Sequence, residues 1–171
     1  MPQTLAAVKH LDLTRFMGDW YVIATIPTPF EQAAFNPLES YRLTPQGTVH
    51  TTFTYNKGAV DGPQKSMRMT GFPRKPPDAG IWGMQFIWPI KADYRIMYID
   101  DDYQTSIVGR NKRDYLWIMS RRPQIGAESL EQLITIATAG GYDPDKIRLT
   151  NWQIGRSQAF AFDHKPAGSI K

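Results

Sequence analysis

Between residues 18 and 121 apolar and polar positions alternate in short runs, each closed by Gly, Pro, Asn or Asp. A period of two marks strands with one buried face, and those closing residues mark turns. The first run, 21–26, is rich in β-branched residues and ends at Pro27. The same pattern predicts strands over 38–43, 48–55, 64–72, 80–88, 93–99, 103–109 and 114–121. Eight such neighbours joined in order predict an all-β fold, an eight-stranded up-and-down antiparallel barrel.

One stretch changes period. In Ala127–Ala139, residues Leu130, Leu133, Ile134 and Ala137 fall at helical spacing, and Gly140-Gly141 supplies a stop. A helix after eight antiparallel strands is not a crossover in a parallel sheet, so it is expected outside the barrel. A short ninth strand is expected over 146–152. The tail, 153–171, has no periodicity and is expected to be mobile. Before the first strand, 13–17 is expected to form one helical turn. Gly18 then lets the chain turn sharply, and Trp20 is placed as a plug at the barrel floor. The loop 28–37 holds Phe30 and Phe35 between prolines. A loop of that length reads either as a binding lid or as a strap tucked onto the rim.

Composition narrows the function classes. A length of 171 residues suits one domain, 1–171. With no cysteine there is no disulfide frame, thiol nucleophile or thiolate metal site. The net charge of +4 helps at an anionic membrane surface. The basic residues are scattered, which argues against nucleic acid as a partner. The first residues lack the pattern of a signal peptide. The expected compartment is therefore cytoplasmic if the sequence is complete as given.

The strand parity selects candidate wall residues. Trp82, Met84, Phe86 and Trp88 share a face of the fifth predicted strand. Tyr94 and Tyr98 share one on the sixth; Tyr115, Trp117 and Met119 lie with Arg121 on the eighth; His50 stands on the third. An eight-stranded barrel can hold one small ligand, so these ten aromatic, thioether and imidazole side chains are the candidate ligand-binding set. Phenols and methionines in an apolar pocket suit a fatty acid, lysophospholipid or sterol. Lys65, Arg68, Arg74, Lys75 and Arg95 are candidate anchors for an anionic head near the mouth.

Leu13 to Met17 with Gly18-Asp19-Trp20, the turn Asp101-Asp102-Tyr103 and Arg121 closing the eighth strand resemble the three signatures of the lipocalins. The element order resembles theirs as well. Residues 26–31 and 113–123 resemble the bacterial outer-membrane-type lipocalins and apolipoprotein D. The resemblance implies a structural signature of Gly18, Trp20, Asp102, Tyr103 and Arg121, with the arginine packed across the tryptophan as a cation–π seal. It implies binding and transport or storage of a small hydrophobic ligand, a periplasmic or outer-membrane setting, and peripheral contact with a membrane. The lipid-modified cysteine of the bacterial proteins is missing. Oligomeric state stays open, a homodimer included.

Catalysis has little support. No nucleophile elbow is present. The three histidines are His10, His50 and His164, two of them in the flanks, so no metal centre and no cofactor are expected. The rival to a carrier is an isomerase or cyclase using Tyr94, Tyr98 or His50 as acid–base groups. That reading requires them to converge on one point. A third reading is a solid barrel that binds a protein through the loop of Phe30 and Phe35.

Overall fold

A computed structural model describes residues 3–154. The chain opens with a short helix, α1 (Leu13–Phe16), capped by the Asp12 carboxylate. Eight strands follow: β1 (Gly18–Ile26), β2 (Ala34–Leu43), β3 (Val49–Lys57), β4 (Gln64–Pro73), β5 (Ile81–Gln85), β6 (Ala92–Ile99), β7 (Thr105–Gly109) and β8 (Leu116–Ser120). Each pairs antiparallel with the next, and β1 pairs with both β2 and β8, which closes the barrel. Then come α2 (Ala127–Ala139), β9 (Arg148–Leu149) and α3 (Asn151–Ile154). β9 adds to β1 on the outside.

Two apolar layers share the β1/β8 wall. Inside the barrel lie Trp20, Phe53, Trp82, Tyr94, Ile96, Trp117 and Met119. Outside it, Ile23, Ile107, Leu116 and Ile118 are covered by Leu130, Leu133 and Ala137 of α2 and by Ile147. All five residues of β8 are therefore buried. A strand covered on both faces loses the alternation of a half-exposed one.

Several boundaries differ from the sequence expectation. The fifth strand stops at Gln85 rather than reaching Trp88, because 86–90 form the turn into β6. The seventh begins at Thr105, and Tyr103 lies in the preceding turn with φ of 55°. The ninth strand shrinks to two residues: Pro144–Lys146 is a 3-10 turn and Asn151–Ile154 is helical. The expected mobile tail falls mostly on 155–171, outside the described residues. β2 starts early, at Ala34, and runs through Pro37 across a register shift between Phe35 and Leu38. Such irregularities are where a strand tolerates proline.

Candidate functional site

The floor is built by Arg121. Its guanidinium lies 3.8 Å from the centroid of the Trp20 ring. Its Nη2 donates to the carbonyls of Arg15 (2.9 Å), Phe16 (3.3 Å) and Met17 (3.0 Å), at the end of α1. Nη1 donates to Asp19 O (2.9 Å) and Nε to Tyr103 O (3.2 Å). The cation thus binds the carbonyls that a helix C-terminus leaves unpaired. Trp20 is fully buried, and its indole N–H donates to Phe16 O at 2.8 Å. Gly18 is required twice over: φ is +100°, and a Cβ would stand 3.3 Å from Arg121 Nη1. Tyr103 closes the same end, with its hydroxyl accepting from the Asp12 amide (3.0 Å) and its ring 4.1 Å from the Arg15 guanidinium carbon. Asp102 is exposed and offers only its backbone carbonyl, to Gln104. The carboxylate that holds this turn is Asp100, which accepts from the amides of Gln104 and Thr105 at 2.7 Å each.

Above the floor a cavity of about 300 Å³ opens toward the loops β1–β2, β5–β6 and β7–β8. Phe53, Met67, Met69, Met84, Tyr94 and Trp117 give it an apolar wall, with Phe30 and Phe86 at the rim. Of the ten candidate wall residues, Met84, Phe86, Tyr94 and Trp117 line this space. Trp82 and Met119 belong to the packed interior beneath it, and Tyr115 is packed against that interior.

Three candidates lie elsewhere. Tyr98 packs against the outer layer, because the register shifts between Ile96 and Tyr98 and reverses the parity of β6. His50 is exposed and lines a groove on the outer face with Arg42, Arg68 and Thr70; Val49, Thr51 and Phe53 take the inward positions of β3. Trp88 is 81% exposed and turns over the rim onto that same outer groove. Tyr94, Tyr98 and His50 therefore do not converge, and the acid–base set of the enzyme reading is dispersed. Nor do the expected basic anchors meet the cavity. Arg95 pairs with Asp93 at 3.0 Å and donates to Leu5 O, while Lys65, Arg68 and Lys75 are exposed. The cation at the rim is Arg110, 3.2 Å from Asp114 and over the Tyr115 ring.

Two residues in the cavity have no counterpart in the expectation. Glu31 ends a 3-10 turn and points inward, where its Oε1 accepts from Thr28 Oγ1 (2.7 Å) and its Oε2 from Trp117 Nε1 (2.9 Å). Burial pushes its carboxyl above the ordinary range, against those two hydrogen bonds. Glu39 occupies an inward position of β2, in a row with Trp20 on β1 and Phe53 on β3. It is 4% exposed, and its Oε2 has no hydrogen-bond partner among the described residues. Burial, and then the charge of Glu31, holds its carboxyl well above the usual range. Next to it Tyr41 and Tyr94 share a hydroxyl–hydroxyl hydrogen bond. The parity of β2 was the signal for Glu39, since Tyr41 and Glu39 alternate with Ser40 and Arg42.

A closed barrel with a sealed floor and an apolar calyx defines a ligand-holding β-barrel. The chain belongs to the lipocalins: a family model described as a lipocalin-like domain matches residues 11–151. It is 33% identical over 155 residues to temperature-induced lipocalin-1 of Arabidopsis thaliana, covering 85% of this chain and 82% of the relative. It is 30% identical over 149 residues to the outer membrane lipoprotein Blc of Citrobacter freundii, covering 85% and 82%. Apolipoprotein D of Bos taurus is 24% identical over 151 residues, covering 84% and 78%. Among solved structures, lobster apocrustacyanin A1 superposes with a TM-score of 0.65 at 14% identity, over 87% of this chain and 88% of that one; this likeness concerns the fold. Members of the family bind small hydrophobic ligands.

Proposed function

We propose that this protein carries one single-chain lipid in its calyx and exchanges it at a membrane surface. The observation that carries the reading is an apolar cavity whose open rim is itself apolar and uncovered. Phe30 is 71% exposed beside that cavity, and Phe86, Ile87, Trp88 and Ile90 follow one another, exposed, along the β5–β6 turn. Exposed apolar patches of this kind mark interaction surfaces, and tryptophan favours the membrane–water interface. Arg110 lies in the same lining as Phe30 and Phe86, Lys91 follows Ile90 in the chain, and the net charge of +4 favours an anionic leaflet. Fatty acids and lysophospholipids share the alkyl chain that such a wall accepts. At about 30 Å³ per water-sized group the cavity has room for on the order of ten such groups, so part of a long chain extends to the rim.

Native mass spectrometry of the purified protein, with lipid extraction, tests the first half. The expected result is one bound lipid per chain. Vesicle flotation tests the second: the protein is expected to float with anionic vesicles, less with neutral ones, and less after Trp88→Ala. A protein that carries no lipid and ignores vesicles would reject the reading. The solid-barrel reading loses its basis, because the calyx is hollow and Phe35 is buried in β2.

A further inference from the structure

We infer, building on the carrier reading, that the calyx takes its guest head first, with a cationic ammonium group against Glu39 and Glu31, so that the ligand class is an alkyl amine rather than a fatty acid. The polarity of the cavity runs opposite to what a fatty acid inserted tail first needs. Its interior holds two carboxyls, and its rim is greasy. A tail-first guest would set methylene groups against the unpartnered Oε2 of Glu39 and leave a charged head among Phe30 and Phe86, where the rim cation Arg110 is already paired with Asp114. A buried polar atom without a partner is costly, and a donor that reaches it recovers that cost. A head-first guest supplies the donor at the bottom and an alkyl chain at the rim.

The rest of the wall favours a cation over a neutral donor. Tyr94 and Trp117 stand with ring centroids 5.6 Å apart, and Phe53 completes the aromatic lining. Aromatic faces attract ammonium groups, more strongly where water is excluded. Among the described residues no cation pairs with Glu31 or Glu39. Arg110 pairs with Asp114, and the remaining acid of the lining, Asp93, is paired with Arg95. The titratable groups of the lining are therefore Glu31, Glu39, Tyr94, Arg110 and Asp93, with Tyr41 behind Tyr94 and hydrogen-bonded to it. Burial, and then the charge of Glu31, raises the carboxyl of Glu39 well above its usual range, so the empty calyx holds that proton more tightly than water does. An arriving ammonium stabilises the carboxylate, so the carboxyl O–H proton leaves to solvent as the ion pair forms.

The test compares decylamine, decanol and decanoate, matched in chain length, by calorimetric titration near neutral pH. The amine is expected to bind roughly tenfold tighter than the acid or more, as paired buried charges do. Glu39→Gln is expected to bring the two affinities within about a factor of two. Titrations in two buffers of different ionisation enthalpy should show proton release with the amine and none with the alcohol. Should Glu39→Gln fail to fold, this proton release in the native protein decides the question. An acid that binds as well as the amine, an unchanged ratio in Glu39→Gln, or an alcohol that outbinds the amine overturns the inference. If the alcohol binds while the amine has no advantage, the carrier reading stands and only the head-group assignment falls. If none of the three binds, both fall.

Discussion

Each end of this barrel takes an ionisable side chain out of water, half-buried at the floor and fully buried in the calyx, and the surroundings of the two differ sharply. At the floor, the Arg121 guanidinium is shared among the carbonyls of Arg15, Phe16, Met17, Asp19 and Tyr103 and lies on Trp20. In the calyx, Glu39 has an oxygen that nothing in the described residues reaches. A half-buried cation with its hydrogen bonds complete holds the structure around it, whereas a buried carboxyl left incomplete opposes folding and awaits a partner. One end is therefore built for stability and the other for a guest. Substitutions at the floor should unfold the protein, and substitutions in the calyx should change what it binds.

The largest effect is expected at Trp20. Truncation to alanine removes a fully buried indole and the surface on which Arg121 rests, at a cost of about 3–5 kcal/mol. Arg121→Ala comes next, at about 2–3 kcal/mol, since it strands the carbonyls at the end of α1. Arg121→Lys should recover little, because an ammonium cannot spread donors over five carbonyls. Denaturant unfolding checks all three. Lipid affinity measured where each variant is still folded should stay near that of the parent. Equal unfolding midpoints for Arg121→Ala and the parent would remove the sealing role.

In the calyx the sign reverses. Glu39→Gln is expected to stabilise the protein by about 1–3 kcal/mol near neutral pH, since the amide neither has to take up a proton on burial nor carries a charge to desolvate. The parent should also show a steeper pH dependence than the variant, which keeps only the contribution of Glu31. The folded state holds the proton of Glu39, and more weakly that of Glu31, more tightly than the unfolded chain does. The stability from these raised values is fully present below the ordinary glutamate range, near about 4.3. It is lost as pH rises through the folded-state values. The unfolding midpoint of the parent should therefore fall from mildly acidic to mildly alkaline pH, with a smaller slope in Glu39→Gln. A midpoint rising over that interval in the parent alone would contradict the assignment.

The same contrast explains what could be read from the sequence. The floor was legible because local rules place Gly18 and Trp20, and the resemblance to the lipocalins implied Arg121 across the tryptophan. A glycine at positive φ, a tryptophan two residues on and an arginine closing β8 are fixed positions with one geometric task each. The order of strands followed from turn chemistry and survives in the pairing. The calyx was only partly legible, because which way a side chain faces depends on every irregularity before it. The register shift in β6 sends Tyr98 out while Tyr94 faces in. The early end of β5 carries Trp88 over the rim. Glu31 and Glu39 went unselected because charged residues are expected outside. The parity of β2 alone would have turned Glu39 inward, whereas Glu31 is shown inside only by the barrel's closure, which brings Trp117 and Thr28 to it.

Trp117 and Trp88 give the finest division between the two uses of the open end. Both are tryptophans, but Trp117 lines the cavity and bonds Glu31, while Trp88 faces solvent. Trp117→Phe should weaken binding of a calyx ligand by about tenfold, since it removes the N–H that holds Glu31 in place and leaves a buried acceptor short of one donor. Trp88→Ala should leave both unfolding and calyx affinity unchanged, within about 0.5 kcal/mol. Its effect should appear only at a membrane, as a lower fraction of protein floating with anionic vesicles. Titration of a matched alkyl ligand in solution, beside flotation of the same two variants, separates the inner tryptophan from the outer one. If Trp88→Ala weakened binding in free solution as much as Trp117→Phe, the rim would be part of the pocket wall rather than a surface for docking.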